Sequence, residues 1–382
     1  MDFDFTPQQQ ALHAELTAFA RDELNDDVVQ RDQQQLFPTE LWRKCGARRL
    51  PGLALPEPLG GAGLDPLSTA IAMEALGYGC ADGGLVFALG AHLATAAIPL
   101  WKYGTPAQQA RWFPQLCDGS LVGVGALTEP GAGSDAFAMQ TSVQRDGDAF
   151  ILKGLKRYIS NAPIADLFVV YAMTDSAKGY HGGVTAFMVE KNAPGFKVTR
   201  TLPKMGVRTS PFGELTMTDL RLPRDAVLGE VGSGAAIFSA AMDWERVLLM
   251  AGHMGTMQRL FERSIKHART RKQFGQPIGK FQAVSHRLAD MKVQIEAARL
   301  LVYRAASRLE RERSASLDAA IAKLFASETY VQVALDCLRT HGASGYVADN
   351  DFERAARDSV GSTIYSGTSD VQRNIIARWL GL

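Results

Sequence analysis

The stretch ALTEPGAGSD, residues 126–135, carries the most informative pattern in the chain. Its consecutive small residues Gly131, Ala132 and Gly133 let backbone N–H groups converge on an anion, and Ser134 adds a hydroxyl donor. No GK[ST] follows, so the stretch is not a nucleoside-triphosphate loop. Glycine content alone favours an ordinary tight turn. The stretch therefore indicates an anion-binding loop only in combination with other segments.

Two other segments strengthen that interpretation. KRYISN, residues 156–161, reads as a strand whose alternation puts Tyr158 and Ser160 on one face, where a ring and a hydroxyl suit a flat heteroaromatic ligand. RTRKQFGQPI, residues 269–278, ends a helix with cations that could meet a phosphate. Their ordinary interpretations are a surface strand with a half-buried tyrosine and a solvated helix face.

The order of secondary structure predicts an α+β fold. A helical N-terminal domain spans 1–120, a small antiparallel β domain spans 121–228, and a C-terminal helical domain spans 229–382. The predicted strands include 150–152, 167–172, 185–189 and 214–217, and the predicted C-terminal helices are 238–269, 282–311, 317–340 and 370–380. This order lacks the βαβ alternation of a Rossmann fold, so a nucleotide cofactor must be held in another way.

Composition excludes several classes of function. The chain has 382 residues with a formal net charge of +1, which gives no attraction to nucleic acid or an anionic membrane. Its cysteines form no CxxC pair, so we expect buried thiols and no metal site; they are Cys45, Cys80, Cys117 and Cys337. The N-terminus has no apolar signal sequence, and we find no apolar stretch of about 18 residues. We therefore expect a soluble cytoplasmic protein.

Taken together, the segments resemble the acyl-CoA dehydrogenase family over essentially the whole chain. The resemblance also rests on KMGVR at 204–208, GEL at 213–215, RKQFGQPI at 271–278, FQAVSHRLADM at 281–291 and IYSGTSDVQRNIIAR at 364–378. It implies the family's fold, with a C-terminal four-helix bundle, and its cofactor FAD. It also implies an oxidoreductase that moves an acyl thioester's α-proton to a carboxylate and its β-hydride to flavin N5, and then passes electrons to an electron-transfer acceptor.

The resemblance assigns cofactor contacts by position. Leu127 and Thr128 match contacts to the pyrimidine end of the flavin, and Gly133 and Ser134 match contacts to the pyrophosphate. Tyr158 stands where a ring-covering Trp is usual, and Ser160 where a Thr near N5 is usual. The positions that match contacts from a neighbouring subunit to the ADP half are Arg271, Phe274, Gln282, Arg339, Gly342 and Ala343. Thr368 and Asp370 match a further cofactor-binding pair. Arg339 replaces a common Gln and Ala343 a common Gly. A homodimer or homotetramer is implied.

The catalytic base is not where much of the family has it. The family segment IYEGT reads IYSGT here, so Ser366 replaces the Glu. In MDWERVLL, residues 242–249, Glu245 shares its helix face with apolar residues and has no cation three or four positions away, whereas Asp243 has Arg246 at i+3. Burial would raise the pKa of Glu245 toward neutrality, which suits a general base. From the residues alone, an exposed or otherwise paired Glu is equally compatible.

A minority branch of the family resolves this choice. Isovaleryl-CoA dehydrogenases and carrier-protein-linked prolyl dehydrogenases show the same D-x-E-R order, which implies that Glu245 is the base. Arg246, Ser366 and Gly367 then match the substrate side, where the backbone N–H of Ser366 polarises the thioester carbonyl.

The resemblance is closest to the prolyl-carrier-protein enzymes of secondary metabolism. The alternatives are a short or branched-chain acyl-CoA dehydrogenase, a flavin oxidase or monooxygenase on the same fold, and a non-catalytic thioester-binding scaffold.

Overall fold

The N-terminal part is helical in the computed structural model, which describes residues 4–311 and 315–382. Thr6 caps the first helix with both arms of a capping box, since its hydroxyl accepts from the Gln9 N–H and the Gln9 side chain accepts from the Thr6 N–H. The helices are α1 (Pro7–Glu23), α2 (Val28–Gln34), α3 (Thr39–Ala47), α4 (Pro66–Gly79), α5 (Gly83–His92), α6 (Ile98–Tyr103) and α7 (Pro106–Cys117).

Helices α5 and α6 join through the π-helical turn Leu93–Ala97 into one apolar stretch, Gly83–Tyr103. Its length and its mean hydropathy of 1.6 would suffice to cross a membrane, so the expectation that the chain holds no such stretch was wrong. However, 94% of its most apolar window is buried inside the protein. The stretch is a core helix, and its uniform hydrophobicity reflects packing on every side.

The middle part is a sheet whose main path runs β6-β7-β3-β2-β4-β5-β8, with β1 beside β4. The strands are β1 (Gly123–Ala126), β2 (Ser142–Asp146), β3 (Ala149–Ser160), β4 (Leu167–Met173), β5 (Val184–Glu190), β6 (Phe196–Thr201), β7 (Phe212–Leu222) and β8 (Val227–Leu228). Most pairs are antiparallel, as predicted. The difference is β4, which pairs in parallel with β1 and β2.

The C-terminal part is again helical. Its elements are α8 (Gly234–Thr270), the hairpin strands β9 (Lys272–Gln273) and β10 (Gln276–Pro277), then α9 (Gln282–Arg311), α10 (Ser316–His341), α11 (Ala343–Tyr346), α12 (Asp351–Ser362) and α13 (Ser369–Trp379). The long helix α8 packs against both α4 and α10. Glycines permit the crossing with α4, because a Cβ at Gly77 would lie 1.9 Å from the Gly252 oxygen. The centre of α8 is therefore buried on every side.

Candidate active site

Glu245 lies in the buried centre of α8 and is 9% exposed. Across 4–311 and 315–382, no hydrogen bond or ion pair of normal geometry engages its carboxylate. Burial raises the pKa of Glu245 to about 7, and the opposing effects come from Arg246, the Ser366 hydroxyl and Lys323, in that order. The apolar environment inferred from the sequence is therefore present.

The predicted pair of Asp243 and Arg246 is confirmed. Arg246 Nη1 lies 3.3 Å from Asp243 Oδ1, and the Ser316 hydroxyl donates to Asp243 Oδ2 at 2.9 Å. Arg246 also donates from Nε to the carbonyl oxygen of Ser366 at 3.2 Å. The guanidinium is thus held on Asp243 and on the turn at Ser366, which leaves Glu245 as the unengaged carboxylate of the segment.

The turn that contains Ser366 is held by hydrogen bonds from the buried side chain of Gln372. Ser366 and Gly367 both have left-handed backbones, with φ of 57° and 87°. Gln372 is fully buried and donates from Nε2 to the carbonyl oxygens of Ser366 and Gly367 at 3.0 and 2.8 Å. The Ser366 N–H has no acceptor among the residues that the structure describes. The turn therefore presents an unused backbone donor next to the helix that carries Glu245.

Aromatic packing fixes the residue before this turn. The Tyr365 hydroxyl is hydrogen-bonded to His253 Nε2, and its ring packs 4.9 Å from the ring of Phe87. His253 also stacks on Tyr330 at 4.7 Å. Burial lowers the pKa of His253 to about 3, so its imidazole is neutral. This arrangement positions the turn without adding a charge to it.

A buried ion pair holds the stretch 126–135. Lys156 Nζ lies 2.8 Å from Glu129 Oε1 and donates to the Leu127 carbonyl oxygen at 2.8 Å. Glu129 also accepts the N–H groups of Gln140 and Thr141 at 2.6 and 3.0 Å. Burial lowers the pKa of Lys156 to about 8, and Glu129 opposes that effect. The Arg157 N–H donates to the Thr128 carbonyl at 2.8 Å, so the stretch is fixed to β3 at several points.

The glycine-rich part of the stretch is open to solvent. Gly133 and Ser134 are exposed, and a Cβ built at Gly131 or Gly133 would meet nothing within 4 Å. Backbone N–H groups in such an uncovered loop can approach a large anion closely. The residues therefore have room for the pyrophosphate of a dinucleotide, and the contacts of Gly133 and Ser134 with it stay a prediction.

Tyr158 stands at an irregularity in β3. The register with β7 shifts between Lys156 and Ile159, and Tyr158 has a φ of 61°. The ring is 49% exposed, whereas Ile159 is buried and Ser160 is partly exposed. A bulge interrupts regular alternation of the backbone. Even so, Tyr158 and Ser160 are both more exposed than the buried Ile159 between them, as the predicted alternation requires. A strained residue presents an aromatic ring beside the loop, as a ring-stacking platform requires.

Six of the remaining predicted cofactor residues lie around the C-terminal ends of α8 and α10. Phe274 and Gly275, with φ of 49° and 81°, form the tip of the β9–β10 hairpin, and Phe274 is 94% exposed. Stacking of His267 on His341 at 4.3 Å brings the hairpin close to the end of α10. The exposed members of this group are Arg271, Phe274, Gln282, Arg339, Gly342 and Ala343.

No hydrogen bond, ion pair or ring contact in the described part of the chain joins this group to the 126–135 stretch. Thr368 caps α13 by accepting the Val371 N–H at 3.2 Å, and the Asp370 side chain is 91% exposed. One protomer therefore presents two separate sets of predicted contacts, as expected if each cofactor bridges two chains.

Sequence reasoning missed several residues that position the site. They are Glu129 and Lys156 beside the loop, and His253 and Gln372 around the turn. Nothing local marked Gln372, because its role depends on the fold of the turn above it.

Comparison with known proteins identifies the family of the chain. Models of the N-terminal, middle and C-terminal domains of acyl-CoA dehydrogenases match residues 6–120, 125–220 and 232–381. The chain belongs to the acyl-CoA dehydrogenase family. The predicted family, fold class and oxidoreductase class are thereby confirmed for this acyl-CoA dehydrogenase.

Individual relatives narrow the comparison. An L-prolyl-[peptidyl-carrier protein] dehydrogenase of Pseudomonas fluorescens is 41% identical over 384 residues, which cover 100% of both chains. The crystal structure of the prolyl acyl carrier protein oxidase AnaB matches with a TM-score of 0.97 at 42% identity, covering 99% of this chain and 100% of that one. The FAD complex of PigA matches with a TM-score of 0.97 at 39% identity, covering 100% of both chains. FAD as the cofactor is confirmed by these matches.

Proposed function

We propose that this acyl-CoA dehydrogenase oxidises a prolyl group held as a thioester on a carrier protein, with Glu245 as the base. The observation that carries the proposal is the buried, unengaged carboxylate of Glu245 on α8. The choice of a prolyl-carrier-protein substrate is supported by the similarity of the whole chain to the L-prolyl-[peptidyl-carrier protein] dehydrogenase of Pseudomonas fluorescens.

Glu245 is suited to take the α-proton of a thioester. The pKa of about 7 leaves a substantial ionised fraction at neutral pH and still gives a carboxylate basic enough to accept a proton. FAD, when bound, supplies the acceptor for the hydride that leaves the β-carbon. Arg246 is engaged with Asp243 and with the Ser366 carbonyl, so it stabilises the ionised carboxylate without forming an ion pair that would quench it.

The turn at Ser366 is suited to bind the thioester carbonyl. Its carbonyl oxygens accept from Arg246 and Gln372, which orients the peptide groups and leaves the Ser366 N–H for a ligand. A backbone donor aimed at a developing enolate stabilises negative charge in the transition state. Replacement of the family's usual Glu by Ser does not remove such a donor, because it belongs to the backbone.

We also propose that the active unit is at least a homodimer in the cytoplasm. The loop at 126–135 and the exposed group around Phe274 are separate in one chain, and both match cofactor contacts in the family. The chain's electrons would pass to an electron-transfer acceptor. The individual cofactor contacts remain predictions.

Anaerobic bleaching of the flavin absorbance tests the proposal. The purified holoenzyme is mixed with a prolyl-carrier protein, isovaleryl-CoA, butyryl-CoA or octanoyl-CoA, and Glu245→Gln serves as the matched control. We expect rapid bleaching by the prolyl-carrier protein, slow or no bleaching by the CoA thioesters, and none with the variant. Faster bleaching by an acyl-CoA would instead assign the protein to the short or branched-chain enzymes.

A second candidate function is that of a flavin oxidase, because the similar protein AnaB is a prolyl acyl carrier protein oxidase. The same substrate distinguishes the two reactions when turnover is followed in air. Oxygen uptake with stoichiometric peroxide during aerobic turnover of the prolyl-carrier protein would assign the oxidase reaction. Slow reoxidation in air and rapid reoxidation by an electron-transfer protein would assign the dehydrogenase.

A further inference from the structure

Lys323 is a fully buried lysine that neither the proposed chemistry nor the packing explains. It lies on α10 with 0% exposure, and its Nζ has no hydrogen-bond partner within the described ranges 4–311 and 315–382. An ammonium group without a partner is costly to bury, by several kcal/mol, unless an opposite charge lies close to it. The charges around Lys323 therefore need to be identified.

Two contacts fix the register of α10 on α8 around Lys323. The Ser316 hydroxyl donates to Asp243 at 2.9 Å, and Tyr330 stacks on His253 at 4.7 Å. The order of these contacts shows that the two helices run in the same direction. Lys323 lies midway between Ser316 and Tyr330, two helical turns from each.

Counting two turns along α8 from the same contacts gives the segment of α8 that lies opposite Lys323. The count ends at Met250 from Asp243 and at Arg246 from His253. Lys323 therefore faces the turn of α8 that directly follows Glu245.

Electrostatic effects agree with that placement. Burial lowers the pKa of Lys323 to about 8, Arg246 lowers it further, and Glu328 and Glu245 oppose the change. Glu328 is paired with Arg373 at 2.7 Å, and its side chain is 47% exposed, so solvent and Arg373 weaken its influence. Of the other groups facing this turn, His253 is neutral and Asp243 is engaged by Arg246. Glu245 is the buried carboxylate left to compensate Lys323.

We propose that Lys323 is a positioning residue that keeps the Glu245 carboxylate ionised and ready to take a proton. The proposal rests on the proposed function, because it assigns Lys323 a role only through Glu245 as the base. A positive charge beside a buried carboxylate favours the ionised form without touching the substrate. Since Lys323 makes no hydrogen bond to any residue that the structure describes, its contribution is its charge, and an arginine would preserve it.

The test is the pH dependence of anaerobic flavin bleaching by a prolyl-carrier protein. Lys323→Met removes the charge at similar volume, Lys323→Gln gives a second neutral replacement, and Lys323→Arg restores the charge. Lys191→Met, at an exposed site after β5, is the control. Retention of FAD and the thermal midpoint are measured for each protein.

The expected result is a shift of the acidic limb of the profile of bleaching rate against pH. In Lys323→Met and Lys323→Gln its midpoint should move up by roughly one pH unit, with a roughly tenfold lower rate below pH 6 and little change at pH 9. Lys323→Arg and Lys191→Met should keep the wild-type midpoint. A merely structural lysine would instead lower the rate equally at every pH, and that outcome or an unchanged midpoint would overturn the inference. Wild-type protein that no thioester bleaches would refute the proposed function itself.

Discussion

Arg246 donates a hydrogen bond from Nε to the carbonyl oxygen of Ser366 at 3.2 Å and so joins α8 to the turn before α13. The same guanidinium is paired with Asp243 through Nη1. The helix that carries the candidate base and the turn that carries the candidate carbonyl donor are therefore held together by one side chain. Displacing either element would alter the distance between the two groups that must act on the same thioester.

Replacing Arg246 tests this connection. Arg246→Met should slow flavin bleaching at least tenfold and move its acidic limb to higher pH, because Arg246 is the largest influence that lowers the pKa of Glu245. It should also destabilise the protein by about 3 kcal/mol, since Asp243 loses its buried partner. The control is Arg111→Met, whose side chain is 61% exposed. A normal pH profile in Arg246→Met would contradict this account.

The raised pKa of Glu245 predicts that the reaction rate and the stability of the protein change with pH in opposite directions. Its pKa of about 7 in the folded protein lies above the ordinary 4.5, so its contribution to stability is complete at low pH and is lost as the pH rises toward 7. That loss corresponds to about 3 kcal/mol. Glu245→Gln should therefore raise the thermal midpoint more at pH 8.5 than at pH 5, while wild-type bleaching accelerates through pH 7. Equal effects at both pH values would refute a buried, ionised Glu245.

The ion pair of Lys156 and Glu129 predicts a double-mutant effect on FAD binding. Lys156→Met alone leaves the buried Glu129 unpaired and should cost about 3 kcal/mol of unfolding free energy and weaken FAD retention. Adding Glu129→Gln should recover part of the stability. Urea unfolding and flavin release on gel filtration measure both effects. Strictly additive losses would show that the two groups do not act as a pair.

Tyr158 predicts an asymmetric pair of substitutions. Tyr158→Ala removes the exposed ring and should weaken FAD binding at least tenfold, because stacking area on the flavin is lost. Tyr158→Trp enlarges the platform at the same strained position and should keep or tighten binding. Titration of the apoprotein with FAD measures both variants. Equal affinities of all three proteins would show that the ring does not face the cofactor.

Phe274 tests the proposed bridging of two chains. Phe274→Ser removes a 94% exposed ring from the hairpin tip, so it should leave the folded protomer intact but lower both FAD retention and the apparent oligomer mass. Leu382→Ser, which removes a 90% exposed side chain at the C-terminus, is the control. Light scattering coupled to gel filtration gives the result. Unchanged mass and flavin content in Phe274→Ser would exclude Phe274 from the bridge.

The sequence predicted the features that depend on local pattern. The bounds predicted for α9 agree with the structure, the pairing of Asp243 with Arg246 follows from i+3 spacing, and the apolar face around Glu245 follows from helical periodicity. The bulge at Tyr158 was not predicted, because strand alternation carries no information on where the register shifts. Helix α12 was missed as well, since its short amphipathic pattern lies between loops.

The sequence alone determined the family and the order of the helical and β-rich parts. It also determined that Ser366 stands where much of the family has its catalytic Glu. Tertiary structure decided which distant groups share an environment. Lys323 and Glu245 lie far apart in the chain, and their charges influence each other only because α10 packs on α8. Gln372 likewise supports the Ser366 turn only because α13 folds beneath it. Periodicity and motif spacing report local structure, whereas burial and electrostatic coupling arise when elements pack.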